Sequence, residues 1–260
     1  MLINTLSMFL HEMLPIFFLS SMLAALLEKM KSRFHIIGLG ILVGTLLSII
    51  IQLFVSQIAL LFSGFGVEIL FFTIACSQVA CLSVLLLLLR HFDNQMVAIL
   101  SIALLILTMF QGGTDFLIFV NNFWIQQHIG HALLIGIAIG ASISLSLAVL
   151  LYFFLNWLAQ HNPLTLYIFP ALFVAGQFSK AINLLAQIGI VESNTMWSTD
   201  FLLTDRSEFA QILSSMFGYE ATPITAQIAT YLLTLTALLT IIFMRRVRLI
   251  AAFHRNEKSP

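Results

Sequence analysis

Two short polar segments interrupt the apolar stretches of this chain and carry the side chains best suited to chemistry. They read His11-Glu12-Met13-Leu14-Pro15 and Gln111-Gly112-Gly113-Thr114-Asp115. Carboxylate and imidazole groups are cation ligands. Keeping a charged side chain at the centre of a membrane helix costs about 2.5–3.5 kcal/mol. A carboxylate retained there therefore indicates a functional site.

The two segments occupy matching places in two halves of the chain. Polar groups at repeat-related positions are typical of secondary transporters, whose substrate sites lie between two structural repeats. We therefore expect the carboxylates of Glu12 and Asp115 to form one paired site.

The composition predicts an all-α polytopic membrane protein. Hydrophobic residues make up 60% of the 260 residues and charged residues only 8%, about a third of the charged fraction of a soluble domain. A membrane-spanning helix needs about 20 mostly apolar residues, and seven stretches qualify: 5–27, 35–62, 67–89, 96–123, 131–156, 164–190 and 222–244.

The distribution of charge predicts that the N-terminus is outside and the C-terminus inside. Basic residues follow the first, third and seventh spans, which places them on one side, and the positive-inside rule makes that side cytoplasmic. The long loop before the seventh span is acidic and falls outside. The basic residues are Lys29, Lys31, Arg33, Arg90, Arg245, Arg246, Arg248, Arg255 and Lys258. The loop carries Glu192, Asp200, Asp205, Glu208 and Glu220 against Arg206.

Small residues repeat every fourth position in the second and fifth spans, at Gly40, Gly44 and Ser48 and again at 136, 140 and 144. Such stripes let helix backbones approach closely. Their recurrence behind each polar segment predicts a 3+3 inverted repeat plus a seventh helix. Within a single transmembrane domain, 1–260, the units are 1–90, 91–190, an external acidic loop at 191–221, the seventh helix at 222–244 and a basic tail at 245–260.

Pro15 and the Gly112-Gly113 pair weaken the helix backbone beside the two acids. Proline removes a helix hydrogen bond, and paired glycines loosen the hydrogen-bond ladder. Two interpretations are open: a packing kink, or a wet cavity that satisfies the freed carbonyl groups.

The pattern of seven helices with polar motifs in the first and fourth resembles the oxidase-dependent iron transporters, the Ftr-type high-affinity iron permeases. The similarity extends over most of the chain in order and spacing. It includes Arg33-Phe34 with the glycines of the second span, and the stretches Asn183-Leu184-Leu185-Ala186-Gln187-Ile188-Gly189, Met196-Trp197-Ser198-Thr199-Asp200 and Met216-Phe217-Gly218-Tyr219 followed by Pro223.

Both motifs of that family have the form Arg-Glu-x-x-Glu, and their glutamates bind the iron in transit. In the first motif His11 replaces arginine, Glu12 matches the first glutamate and Pro15 replaces the second. In the second motif the three positions hold Gln111, Gly112 and Asp115. Two of the four carboxylates remain, one in each half, so the chain resembles a divergent branch.

The resemblance implies an inner-membrane iron permease that has no enzymatic activity and no cofactor, with iron as the transported ion. It also implies an extracytoplasmic iron-binding or oxidase protein as a partner. Walker, glycine-rich phosphate-binding and nucleophile-elbow patterns are absent from the sequence, and we expect no nucleic acid partner. The alternative is a non-transporting membrane subunit of an iron-uptake or related assembly.

Iron accepts carboxylate oxygen and imidazole nitrogen, so the predicted metal ligands are His11, Glu12 and Asp115. Gln111 and Thr114 are candidate neutral oxygen donors in the same region. The thioether of Met8, three residues before His11, would favour a softer ion such as Cu(I).

Lys180 and Glu68 are further candidates along the pathway. Lys180 is the one basic residue well inside a predicted span. It either pairs with Asp115 or Glu12, or extends to the outer surface. Glu68 either matches a family acid or is a helix N-terminal acid favoured by the dipole. Glu12 itself could instead be hydrated near the outer interface.

A redox protein that uses Cys76 and Cys81, or the histidines near the span ends, is a third interpretation. Cysteines five residues apart do not share a helical face, and free buried thiols are the simpler expectation. Haem ligation needs facing histidines at depth, whereas these lie near the interfaces, at His91, His128, His131 and His161.

Overall fold

A computed structural model describes residues 2–28, 30–88, 94–127, 130–199, 201, 203–204 and 207–256. Several residues used in the charge and redox arguments lie outside these ranges: Lys29, Arg90, His91, His128, Asp200, Asp205, Arg206 and Lys258.

The described part of the chain is helical and contains no β-strand. Seven helices are long and apolar enough to cross a membrane, which confirms the predicted all-α polytopic class. The helices are α1 (Leu2–Leu26), α2 (Arg33–Ala59), α3 (Gly66–Leu88), α4 (Asn94–Gln127), α5 (Gly130–His161), α6 (Thr165–Gln187), α7 (Glu208–Phe217) and α8 (Thr225–Asn256), with a 3₁₀ turn at Leu61–Gly64 before α3.

Two helices form the interior of the bundle. The most apolar window of α1 is 72% buried and that of α6 is 56% buried, against 22% for α2 and 28% for α5. The exposed residues of α2 and α5 are large aliphatic and aromatic side chains such as Leu46, Leu53, Leu150 and Phe153. Because lipid is as apolar as these side chains, α2 and α5 suit the lipid-facing positions, and α1 and α6 carry the polar groups.

The two halves pack reciprocally. The first helix of one half packs along the second helix of the other, as α1 with α5 and as α4 with α2. Helices α1 and α4 also cross each other, and α3 packs against α6. A two-fold axis between repeats generates this pairing, while the orientation of the N-terminus in a membrane stays a prediction.

The small-residue stripes make the reciprocal contacts close. On α2, a Cβ added at Gly40 would lie 2.8 Å from the Cβ of Leu105, and one at Gly44 would lie 2.6 Å from the Cβ of Met109. On α5, a Cβ at Gly140 would lie 2.7 Å from the ring of Phe9. Side chains at these positions would therefore push the helices apart.

Helices α1 and α4 touch backbone to backbone at the polar segments. A Cβ at Gly112 would overlap the carbonyl oxygen of Glu12, and one at Gly113 would lie 2.7 Å from the hydroxyl oxygen of Ser48. Neither helix is interrupted here, since α1 is continuous through Pro15 and α4 through both glycines. The glycine pair thus serves close packing and does not break the helix.

A short amphipathic helix lies within the segment that the sequence analysis treated as an acidic loop. Helix α7 begins after Ser207, whose hydroxyl accepts a hydrogen bond from the backbone N–H of Ala210, and ends at Gly218 with φ 73°. It packs on α1 and α6. The serine cap, the terminal glycine and the apolar spacing were readable signals for this helix.

Close packing also fixes the end of α7. A Cβ added at Gly176 on α6 would lie 2.6 Å from the carbonyl carbon of Phe217, and one at Gly218 would lie 2.5 Å from the Cα of Gly176. The C-terminal end of α7 is therefore seated directly on the α6 backbone.

The half of the bundle nearer the predicted cytoplasmic side has an apolar interior. A continuous cluster there includes Leu14, Phe18, Leu104, Phe173 and Val174, all fully buried or nearly so. These side chains fill the space between α1, α4 and α6. The polar groups of the interior therefore have access only to the opposite end, which we name the outer end.

We predict that Gly112→Ala destabilises the protein, whereas Gly38→Ala does not. Both residues lie in membrane helices, but nothing lies within 4 Å of a Cβ at Gly38. Overpacking costs about 1–3 kcal/mol, and alanine at the open site gains up to about 1 kcal/mol in helix propensity. Thermal unfolding in detergent measures the difference, and equal Tm values for the two variants would contradict the α1–α4 contact.

Candidate functional site

A polar cavity of about 340 Å³ lies between α1, α3, α4 and α6 in the outer half of the bundle. It lies beside the helix crossing at Gly112, because Gly112 and Glu12, which form the contact between α1 and α4, also line the cavity. The lining residues are His11, Glu12, Pro15, Val67, Glu68, Phe71, Thr108, Gln111, Gly112, Asp115, Gln177, Lys180 and Leu184. We name this space the inner cavity.

The structure brings both motif acids to the inner cavity. Glu12 lies ten residues after the start of α1, about 15 Å along the helix axis, and its side chain is 16% exposed. Asp115 faces the same space from α4 and interacts electrostatically with Glu12. Glu12 is therefore within the bundle and reaches water through the cavity.

His11 lies beside Glu12 and is 47% exposed. Its Nε2 is 3.9 Å from Oε1 of Glu12, the only ion-pair contact within 4.0 Å among the residues that the structure describes. At this distance the two side chains lie next to each other without a hydrogen bond. His11 can therefore turn toward another ligand.

Two predicted oxygen donors have different positions. Gln111 lines the cavity, whereas Thr114 is 1% exposed and its hydroxyl donates a hydrogen bond of 2.6 Å to the carbonyl of Phe110. Met8 packs with an apolar cluster that contains Phe9 and Phe116 and does not line the cavity. Thr114 and Met8 lie on other faces of their helices, which spacing alone did not decide.

Glu68 reaches the inner cavity from the first turn of α3. Its position agrees with both interpretations offered from the sequence, because it stands at a helix N-terminus and also faces the candidate site. With Glu12 and Asp115 it gives the cavity three carboxylates from three helices.

Lys180 faces the inner cavity from α6. Glu12 and Asp115, the two partners predicted from the sequence, line the same cavity. Neither carboxylate lies within 4.0 Å of the ammonium nitrogen in the ranges that the structure describes. The ammonium group balances part of the negative charge without closing an ion pair.

A second cavity of about 270 Å³, the outer vestibule, adjoins the first. It lies between α6, α7 and the connection from α7 to α8. Three residues line both spaces, His11, Lys180 and Leu184, so the two cavities adjoin and together form a candidate passage toward the outer end. The other lining residues are Asn183, Gln187, Ala210, Gln211, Ser214, Tyr219 and Glu220.

Glu220 is the main residue that the sequence analysis did not assign to the site. Its Oε1 accepts a hydrogen bond of 2.8 Å from Asn183 Nδ2, and its Oε2 accepts one of 2.6 Å from Gln227 Nε2. Ser179 in turn holds the carbonyl of Gln227 at 3.0 Å. The carboxylate is thus fixed, with lone pairs remaining for another ligand.

The predicted metal ligands share a cavity but do not form a closed coordination site. No group of three or more His, Cys, Asp or Glu side chains lies close enough to hold a metal ion, within the described ranges. His11, Glu12 and Asp115 would have to move together to coordinate one ion.

The thiols and histidines give no redox centre in the described ranges. Cys76 and Cys81 are both free and half-buried, as expected, and the Cys81 thiol donates to the carbonyl of Leu100 at 3.3 Å. His131 and His161 are exposed at helix ends.

Comparison with protein-family models, curated proteins and solved structures finds no match to this chain.

Labelling of introduced cysteines will test the passage. In a background with Cys76 and Cys81 replaced by alanine, Gln111→Cys should react with a hydrophilic thiol reagent added from the outer side, because residue 111 faces the inner cavity. Thr114→Cys, three residues further along α4, should react at least about tenfold more slowly, since accessible thiolate governs the rate. Equal rates would contradict the position of the cavity.

Proposed function

We propose that this protein is a permease for iron, or a related transition-metal cation, that works in the inner membrane without hydrolysing ATP. The ion would enter from the outer end, cross the outer vestibule and bind between the two halves at His11, Glu12 and Asp115. Alternating access would follow from rocking of one half against the other.

The observation that carries this proposal is the passage itself. Four carboxylates line two adjoining cavities inside an otherwise apolar membrane bundle, those of Glu12, Glu68 and Asp115 the inner cavity and that of Glu220 the outer vestibule. Lys180 supplies a single opposing charge. Acidic side chains within the membrane are expensive and are characteristic of cation pathways, and this excess of acids favours a cation over an anion.

The choice of iron depends on the resemblance to the Ftr-type permeases. Glu12 and Asp115 occupy two of the glutamate positions of that family, and His11 adds a nitrogen ligand next to one of them. Oxygen and nitrogen ligands suit Fe²⁺ and related divalent ions. An extracytoplasmic protein that binds or oxidises iron is the partner that the resemblance suggests.

The packing supports an outward-facing resting state. The inner cavity connects to the outer end, and the apolar layer containing Leu14, Phe18 and Phe173 blocks its other end. Because buried apolar side chains fill that layer, release would require α1 and α4 to separate from α6. A site at His11, Glu12 and Asp115 that does not enclose the ion suits transient binding during such a cycle.

A non-transporting subunit is the second candidate. One observation favours it: the described residues contain no assembled group of metal ligands. In this case Glu12 and Asp115 would keep a structural role in the cavity, and stable association with another membrane component would be the main property of the protein.

Uptake of Fe²⁺ into proteoliposomes under anoxic conditions tests the transport proposal. The Glu12→Gln/Asp115→Asn double variant should lower initial uptake at least about a hundredfold, because neutral amides replace both motif carboxylates; a loss of about 2.7 kcal/mol in binding would suffice. The matched control is Glu28→Gln, which removes an exposed carboxylate just beyond the other end of the same helix.

The control variant should transport like the wild-type protein. Equal uptake by the wild-type protein and the double variant would exclude the proposed pathway. Absence of uptake by the wild-type protein, together with co-purification of another membrane component, would favour the subunit interpretation.

A further inference from the structure

A basic side chain lies where the outer vestibule adjoins the inner cavity. Lys180 lines both spaces. A cation moving from Glu220 to Glu12 must therefore pass the ammonium group of Lys180. A fixed positive charge at that point would oppose the transport of any cation, so its presence needs an explanation.

The surroundings of Lys180 place acids on two sides. Glu12 lines the inner cavity together with Lys180, and Glu220 lines the vestibule together with it. No carboxylate lies within 4.0 Å of the ammonium nitrogen in the described part of the chain. The ammonium group is therefore not paired with either carboxylate. The flexible four-carbon chain of a lysine allows its ammonium group to move from one acid to another.

Glu220 is built to receive a cation. Asn183 and Gln227 each donate one hydrogen bond to its carboxylate, which fixes its direction as in carboxylates that ligate metals. Near it, Gln211 is only 7% exposed and also lines the vestibule, and its Nε2 donates a hydrogen bond to the hydroxyl of Ser7.

We propose that Lys180 is a tethered cation that exchanges places with the transported cation, and that Glu220 is the outer binding site in this exchange. A divalent ion first binds at Glu220 while Lys180 stays near Glu12. The ion then moves to Glu12 and Asp115 as the ammonium group turns to Glu220. This inference depends on the proposed function and adds a second site and a positioning residue to it.

The exchange has two physical consequences. The inner acids are never left without a counter-charge in the apolar bundle, where unpaired carboxylates are costly. The ammonium group at Glu220 also stands behind the bound ion and opposes its return to the outer side. The ammonium group of Lys180 thus limits how many cations the two sites hold at once and favours movement of the ion toward the inner side.

Binding and transport of Fe²⁺ by Lys180 variants test the exchange. Lys180→Met removes the competing charge, so radiolabelled Fe²⁺ should bind about tenfold more tightly in anoxic equilibrium dialysis, given the strength of charge interactions inside proteins. Its maximal uptake rate should fall about tenfold, because nothing replaces the ion at Glu12. Lys180→Arg keeps the charge and should retain binding within about twofold.

Glu220→Gln tests the outer site. It should raise the Fe²⁺ concentration for half-maximal uptake about tenfold, while Glu192→Gln should not change it, because Glu192 is exposed on the outer loop and does not line the vestibule. Unchanged or weaker Fe²⁺ binding by Lys180→Met, or equal effects of the two glutamate variants, would overturn the proposal.

A stability cycle without iron separates this inference from the proposed function. Lys180→Met should lower the Tm of the wild-type protein, and the loss should shrink in the Glu12→Gln and Glu220→Gln backgrounds but not in the Glu192→Gln background. Absence of both couplings would refute the tethered cation even if iron is transported. Both couplings in a protein that neither binds nor transports Fe²⁺ would refute the permease proposal, and the exchange with it, but not the contacts of Lys180.

Discussion

Backbone meets backbone where α1 crosses α4, because Gly112 has no side chain to hold the Glu12 carbonyl away. The other polar positions follow from this contact. It brings the two polar segments to one depth and turns Glu12 and Asp115 toward the same cavity. The small-residue stripes at Gly40, Gly44 and Gly140 then bring α2 close to α4 and α5 close to α1. Gly112 lies in the second polar segment, so the segment that carries Asp115 also permits the close approach of the two halves.

The bundle divides its length between two kinds of interior. In the outer half, acids, amides and Lys180 surround the inner cavity and the outer vestibule. The other half is filled by Leu, Phe and Val side chains. Charged groups are tolerated in such a protein only where other protein groups or water surround them. The polar groups can therefore be solvated from the outer end. The apolar half supplies most of the packing that stabilises the bundle.

The seven spans were predictable because length and hydrophobicity alone determine which segments can cross a bilayer. The grouping of His11, Glu12 and Asp115 followed from the repeated placement of the two polar segments. Other features needed coordinates. Glu220 enters the passage through a contact with Asn183 that joins residues far apart in sequence. The direction in which Met8 faces depends on how α1 is rotated in the bundle, which sequence spacing does not determine.

The backbone contact between α6 and the end of α7, formed by Gly176 and Gly218, determines which distances can change during a transport cycle. Backbones in direct contact cannot slide without opening a gap, so this joint ties the segment carrying Glu220 to the helix carrying Lys180. Glu12 belongs to α1, which has no such joint with α6. In a rocking motion the backbone of residue 180 would keep its distance from the backbone of Glu220, while its distance from the backbone of Glu12 would change. The distance between the backbones of residues 12 and 180 would then report the conformational state of the bundle.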